Sequence, residues 1–283
     1  MNATKIDWCD VTWNPVTGCL HNCPYCYARR IAERFGGYTS AGEKITFCPQ
    51  NGKIAELHEH PLLLRDGGGK VKKAPFPFGF KPTFHRYRLD EPQHAKKPQT
   101  VFVCSMADLF GEWVPLRWVR DVLDACAAAP QHRYLFLTKN PKRYADLMNI
   151  ALLPWNENHV EDSFWYGISV TTQAAKEQAV DVHRKLLSGE WDVNLFWSVE
   201  PMLEPIYLKY IPWDLPPAWV IIGAETGNRK GKVVPKREWV KHLADECAEI
   251  GIPIFYKDSI RKLFPDLPES RFPWKPEAKG AQS

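Results

Sequence analysis

Three cysteines, Cys19, Cys23 and Cys26, fall within the octapeptide Cys19-Leu20-His21-Asn22-Cys23-Pro24-Tyr25-Cys26. Spacings of three and then two intervening residues in one loop direct three thiolates to a common point. Three thiolates can hold three irons of a [4Fe–4S] cluster, which ordinarily takes four cysteines, and the remaining iron is then open to another ligand. The same residues allow other chemistry. Cys19, Cys23 and Cys26 with His21 make a structural zinc set, and Cys9 is either a fourth ligand or an ordinary buried thiol. Cys48 with His58 and His60 is either a second metal site or a pair of solvated histidines. The chain has eight cysteines and no hydrophobic leader in residues 1–7. They read as reduced thiols, metal ligands or catalytic groups of a cytoplasmic protein, not as a disulfide framework.

Such groups need a scaffold, and the chain beyond Thr100 has the pattern of one. Residues 100–105, 134–138, 164–170, 194–199, 219–223 and 252–256 are short apolar runs rich in β-formers, as buried parallel strands are. Helical spacing separates them. Pro115 opens a helix through Leu116, Val119, Val122, Leu123 and Cys126, and Asn140-Pro141 opens one through Tyr144, Leu147 and Met148. Thr171 or Thr172 caps a helix reaching about Leu187, and Trp239, Leu243, Cys247 and Ile250 share a face before Gly251. A first strand over residues 11–16 precedes the cysteines. The alternation predicts right-handed βαβ units, hence an α/β fold: a partial (β/α) barrel, with an open doubly wound sheet as the alternative. The strand ends carry Ser105 with Asp108, Thr138 with Lys139, Ser169 with Thr171, Glu200, Glu225 with Thr226, and Lys257 with Asp258. In α/β barrels that edge holds the active site.

A chain of 283 residues with 45% apolar and 25% charged residues is an ordinary globular composition, which excludes a disordered tail protein, a collagen-like fibre and a coiled coil. No apolar run approaches the roughly 20 residues of a membrane-spanning helix. Residues 1–260 read as the α/β domain. Residues 39–99 form a Pro/Gly/Lys-rich insertion within it, too long for a structureless loop and so a functional cap or a partly mobile segment. Residues 261–283 form a Pro-rich tail with Phe264, Phe272 and Trp274 as docking points.

The octapeptide, with Tyr25 directly before its last cysteine, resembles the signature of the radical S-adenosylmethionine (SAM) superfamily. Further segments, Trp13-Asn14-Pro15-Val16-Thr17-Gly18-Cys19, Ser105-Met106-Ala107-Asp108-Leu109-Phe110, Leu137-Thr138-Lys139-Asn140-Pro141, Gly167-Ile168-Ser169-Val170, Val199-Glu200-Pro201-Met202-Leu203 and Trp219-Val220-Ile221-Ile222-Gly223-Ala224-Glu225, are similar to successive motifs of the phage-associated three-cysteine-motif family. That likeness runs from about Ile6 to Lys257, interrupted by the insertion. Many members have a longer gap between the first two cysteines, whereas this chain has the ordinary radical SAM spacing.

The resemblance implies a [4Fe–4S] cluster on Cys19, Cys23 and Cys26, whose open iron is chelated by the amino and carboxylate groups of SAM. It implies reduction by an external donor such as flavodoxin or ferredoxin, and a 5′-deoxyadenosyl radical that abstracts hydrogen from substrate. Tyr25 then packs against adenine, and Ser105 and Asp108 accept from the SAM ammonium. Ser169 contacts the ribose or carboxylate, and Glu200 and Glu225 bind the ribose diol or a substrate cation. Lys257 and Asp258 touch substrate. Asp108, Glu200 and Lys257 are the catalytic candidates. Each of these residues has a structural alternative, as a helix cap or an ion-pair partner of Lys139, Lys257 or Arg229.

The net charge is only +4, but residues 65–97 carry nine basic and three acidic residues, a local +6. Arg65, Lys70, Lys72, Lys73, Lys81, Arg86, Arg88, Lys96 and Lys97 are interleaved there with Phe76, Phe78, Phe80, Phe84 and Tyr87. Lysines neutralise phosphates and aromatic rings offer stacking platforms, the pairing of a nucleic-acid groove. A second basic run spans residues 229–237. DNA or RNA is therefore the leading substrate, for repair or modification, with a peptide, a protein or a small metabolite as alternatives. A zinc-stabilised, non-catalytic nucleic-acid-binding module is the rival of another class. No membrane partner is expected.

Overall fold

The computed structural model describes residues 1–36, 46–47, 54–65, 70–153, 163–189, 193–208 and 216–274. It divides into two units, Met1–Lys5 with Cys9–Arg143 and Ile6–Trp8 with Tyr144–Ser283.

The first unit begins with β1 (Asn2–Ala3), β2 (Val11–Trp13), β3 (Val16–Thr17) and α1 (Tyr27–Phe35). There follow β4 (Thr46–Phe47), β5 (Ala55–Leu57), β6 (Leu63–Arg65), β7 (Val71–Lys73), β8 (Thr83–His85) and α2 (Glu91–His94). Then come β9 (Thr100–Val103), α3 (Leu116–Ala127) and β10 (Arg133–Thr138), and α4 (Lys142–Asn149) leads into the second unit. The main sheet of this unit has the order β1-β2-β9-β10, parallel except for the β1 edge.

The predicted strand over residues 11–16 is two strands. Pro15 has no N–H to give to a ladder. Its carbonyl instead accepts from His85 N–H at 2.7 Å, so β2 pairs with β9 while β3 pairs antiparallel with β8. That break turns the chain out of the main sheet four residues before Cys19.

Among its described residues the insertion has more regular structure than its weak periodicity predicts. It supplies β8, β5 and β4 to a sheet of order β3-β8-β5-β4, and a ribbon of β6 and β7. Two of its aromatic residues are core: Phe76 and Phe84 are buried. Phe78 and Tyr87 are half-buried against Leu57, Leu62 and Ala74, and Phe80 is half-buried against Ala28, Ala32, Phe76 and Met106. Of the expected stacking platforms, Phe76 and Phe84 are therefore occupied from within. Glu56, buried on β5, binds Arg86 Nε at 2.9 Å and also Arg117, tying β5 to α3 through paired charge. His85 on β8 is buried, with Nε2 2.8 Å from Thr17 Oγ1, and burial, then Arg88, lowers its pKa to about 3.

The second unit contains β11 (Phe164–Ser169), α5 (Gln173–Ser188), β12 (Asn194–Val199), β13 (Trp219–Ile222), α6 (Arg237–Glu249), β14 (Ile254–Tyr256) and α7 (Asp258–Arg261). Its four strands are all parallel in sequential order. Ser169 is level with Ser198, Val199 with Ile222, and Ile222 with Tyr256, so the C-terminal ends of neighbouring strands lie side by side. Thr172 caps α5, its side chain accepting from Ala175 N–H at 3.2 Å. The inner face of α6 is Val240, Leu243 and Cys247; Ile250 lies beyond the helix and is exposed. Trp219 is wholly buried and meets Trp8, Phe255, Phe272 and Trp274. The tail thus docks through Phe272 and Trp274, while Phe264 lies under the Arg237 guanidinium. Among the described residues no helix is long and apolar enough to cross a membrane.

Candidate functional site

The cysteine loop is shaped by its glycine. Gly18 has φ +82°, and a Cβ there would lie 2.3 Å from the Lys81 carbonyl oxygen, so only glycine fits. Gly18 N–H donates to Met106 O at 2.9 Å and Cys19 N–H to Phe80 O at 3.2 Å, which fixes the entry to the loop. At its exit Cys26 N–H donates to Cys23 O at 3.2 Å. Cys26 is itself the cap of α1, with Sγ accepting from Arg29 N–H at 3.3 Å. All three cysteines are free and half-buried. Burial pushes the Cys19 thiol up to about 12; the His21 backbone pulls it down, and Asp108, Cys26 and Cys23 push it up further.

Asp108 is the hub beside them. It is 5% exposed. Oδ1 accepts from Phe110 N–H at 3.0 Å and the Thr138 hydroxyl at 2.8 Å. Oδ2 accepts from Lys139 N–H at 2.9 Å and faces His21 Nε2 at 2.7 Å, so that ring nitrogen carries the proton. A carboxylate has about four lone-pair sites, and these are filled. Asp108 therefore fixes His21, Thr138 and Lys139 in place and has no site left for an ammonium. His21 is also packed edge-on against Trp113, with ring centroids 4.8 Å apart. Ser105 is buried, its hydroxyl donating to Asn14 Oδ1 at 3.2 Å and its carbonyl accepting from Tyr27 OH at 2.6 Å. The Lys139 ammonium lies 5.2 Å from the centre of the Tyr25 ring and has no carboxylate partner among the described residues.

These contacts bear on the metal alternatives. His21 is held by Asp108, and among the described residues no three His, Cys, Asp or Glu side chains form a group able to hold one metal ion. A zinc set of Cys19, Cys23, Cys26 and His21 is thus not assembled. A four-iron cluster takes its thiolates at separate irons and so does not require the three cysteines and His21 to meet at one ion. Cys48 lies outside the described residues, and His58 and His60 are exposed.

In the second unit the strand-end acids are already paired. Glu200 Oε1 is 2.7 Å from Lys257 Nζ, and Asp7 Oδ1 is 3.8 Å from the same nitrogen. Asp7 Oδ2 accepts from Asp258 N–H at 2.6 Å. Gly223 forms the floor beneath the pair, since a Cβ there would lie 3.0 Å from both Glu200 Cγ and Lys257 Cδ. Glu225 takes Arg229 in a two-point grip, Nε to Oε1 and Nη2 to Oε2, each at 2.7 Å. Ser169 ends β11 and is buried.

A family model described as a protein of unknown function, DUF5131, matches residues 3–261. The chain belongs to this family. A comparison with curated proteins finds no match. Among solved structures, a serine-for-cysteine variant of spore photoproduct lyase is similar at 13% identity and a TM-score of 0.46, over 93% of this chain and 76% of that one. A variant with bound AdoMet and dinucleoside spore photoproduct follows at 12% identity and 0.45, over 89% and 73%. A complex with dinucleoside spore photoproduct stands at 12% and 0.42, over 88% and 73%. These likenesses concern the path of the chain and assign no residue a role.

Two groups in this DUF5131 chain escape a sequence reading. Asp7 meets Lys257 across 250 positions, which no spacing reveals. Lys139 reads as an ion-pair partner for a strand-end acid, yet its ammonium faces a ring; the tyrosine before the last cysteine was the available signal.

Proposed function

We propose that this chain is a radical SAM enzyme acting on nucleic acid, with its strands forming a partial (β/α) barrel. The observation that carries the reading is three free, half-buried cysteines within one short loop, with the neighbouring His21 committed to Asp108. Cys19, Cys23 and Cys26 hold a [4Fe–4S] cluster, and Tyr25 borders the bound SAM. When bound, the two cofactors together supply a 5′-deoxyadenosyl radical that takes hydrogen from substrate. Asp108 acts as a positioning residue that holds the loop through His21 and aims Lys139. The Lys139 ammonium binds an anionic oxygen group of cofactor or substrate. Ser105 braces the loop through Asn14 and Tyr27.

Lys257 Nζ lies between Glu200 and Asp7, a donor–acceptor couple for a polar substrate group. Glu225, neutralised by Arg229, and the Ser169 hydroxyl contact the sugar. Exposed lysines support the nucleic-acid part of the reading: Lys70, Lys72 and Lys73 along β7, and Lys230 and Lys236 in the second run. With Phe76 and Phe84 buried, phosphate neutralisation supplies most of the affinity, and stacking is left to the half-buried Phe78, Phe80 and Tyr87.

The test is anaerobic reconstitution followed by reduction with SAM and deuterated substrate pools. The reading expects 5′-deoxyadenosine, with deuterium entering it from DNA or RNA, and binding whose log affinity falls linearly with log salt. Label from a peptide pool alone, or no nucleic-acid binding at low salt, removes the substrate assignment. A cluster that never cleaves SAM removes the enzymatic one.

A further inference from the structure

The helix that follows the cysteines is packed the wrong way round for an ordinary surface helix. α1 buries its two alanines, Ala28 and Ala32, against Phe76 and Met106. Its large apolar side chains face outward: Tyr27 is 42% exposed, Ile31 39% and Phe35 54%. Spaced four residues apart, they form one stripe. A surface helix normally turns such a stripe to the core. Leu20, next to Cys19 in the loop, is 41% exposed as well. Contiguous exposed apolar side chains of this kind mark interaction sites.

Charge identifies the partner. Arg30 and Arg34 are exposed on the same outward side of the helix, and the Arg34 guanidinium lies over the Phe35 ring at 5.3 Å. Arg29 is turned away onto Phe80 at 4.9 Å. The outward face is therefore an apolar centre of Tyr27, Ile31 and Phe35 with a cationic rim. Protein interfaces have that anatomy, an apolar centre with aromatic and arginine side chains enriched, whereas nucleic-acid interfaces are more polar and more densely basic. The position decides the function. Cys26 caps α1, and a helix of nine residues is only about 13 Å long, so every part of the face is close to a cluster-holding cysteine.

We propose that the outward face of α1 is the docking surface for a small acidic electron-carrier protein. The inference rests on the cluster reading above. The carrier gives up one electron and the cluster takes it, with no atom transferred. Electron-transfer encounters use small interfaces steered by opposite charge, which a single short helix can provide.

The test compares the parent holoprotein with the variants Ile31→Glu and Arg30→Glu with Arg34→Glu. Affinity for reduced flavodoxin and for a reduced ferredoxin is measured by titration at low and high salt, and cluster reduction is followed with each carrier and with dithionite. The proposal expects each variant to weaken carrier binding at least about tenfold, the charge reversal to flatten its salt dependence, and dithionite reduction to be unchanged. Variants that bind and accept electrons from both carriers as the parent does overturn it. So does a charge reversal that weakens nucleic-acid binding while leaving the carriers unaffected. A parent protein that takes up no iron fails the underlying reading instead, and dithionite reduction separates the two failures.

Discussion

The cysteine loop of the first unit and the strand-end edge of the second are built on opposite electrostatic plans. In the loop, three thiols stand free and the Lys139 ammonium faces a tyrosine ring in place of a carboxylate. At the edge, Glu200 is matched by Lys257 and Glu225 by Arg229. One region holds uncompensated groups in a rigid frame, and the other holds compensated ones. Uncompensated groups are the mark of a site that takes up a charged partner, and closed pairs serve to position and to donate. Under the proposed function, cofactor binding falls to the first unit and substrate contacts to the second.

The sharpest break of this contrast is Cys23→Ala. Loss of one of three thiolates should abolish iron uptake, read by iron analysis and the visible spectrum, with thermal unfolding little changed. Next is acid. The first unit's loop is braced from behind by the neutral His85 against Thr17. Its folded pKa of about 3 lies below its unfolded value, so below about pH 6.5 the unfolded chain binds more protons. Stability should therefore be full above about 6.5 and fall by roughly 4 kcal/mol toward pH 3, and His85→Gln should flatten that part of the profile.

The two glycines sharpen the comparison further. Gly18→Ala meets backbone oxygen in a left-handed conformation and should cost at least about 3 kcal/mol in denaturant unfolding, together with cluster uptake. Gly223→Ala meets only the stems of Glu200 and Lys257, which can shift, and should cost about 1 kcal/mol. The smallest stability effect is Glu200→Gln. Its pair with Lys257 is partly exposed, so about 1 kcal/mol or less is expected, while 5′-deoxyadenosine release in the presence of substrate should drop far more.

The parallel strands were legible because strands covered on both faces read as unbroken apolar runs, as in residues 194–199 and 219–223. Local chemistry was legible for the same reason: Thr172 caps α5 through an atom three residues away. The insertion was not, because β5, β7 and β8 are three residues long and β5 and β8 find each other across long loops, leaving no period to detect. All its rings read as stacking platforms, since the burial of Phe84 depends on those pairings. At the site, the cysteines were legible from spacing alone. The saturation of Asp108 was not, because its four donors come from three separate segments, His21, Phe110 and the end of β10 at Thr138 and Lys139.

The central claim is that Cys19, Cys23 and Cys26 hold an iron–sulfur cluster with one open iron. It is tested most directly by metal analysis and electron paramagnetic resonance of anaerobically reconstituted, reduced protein with and without SAM. The account predicts about four irons per chain, lost in Cys23→Ala, and a resonance that changes when SAM is added. A colourless protein carrying one zinc per chain, indifferent to SAM, would contradict it.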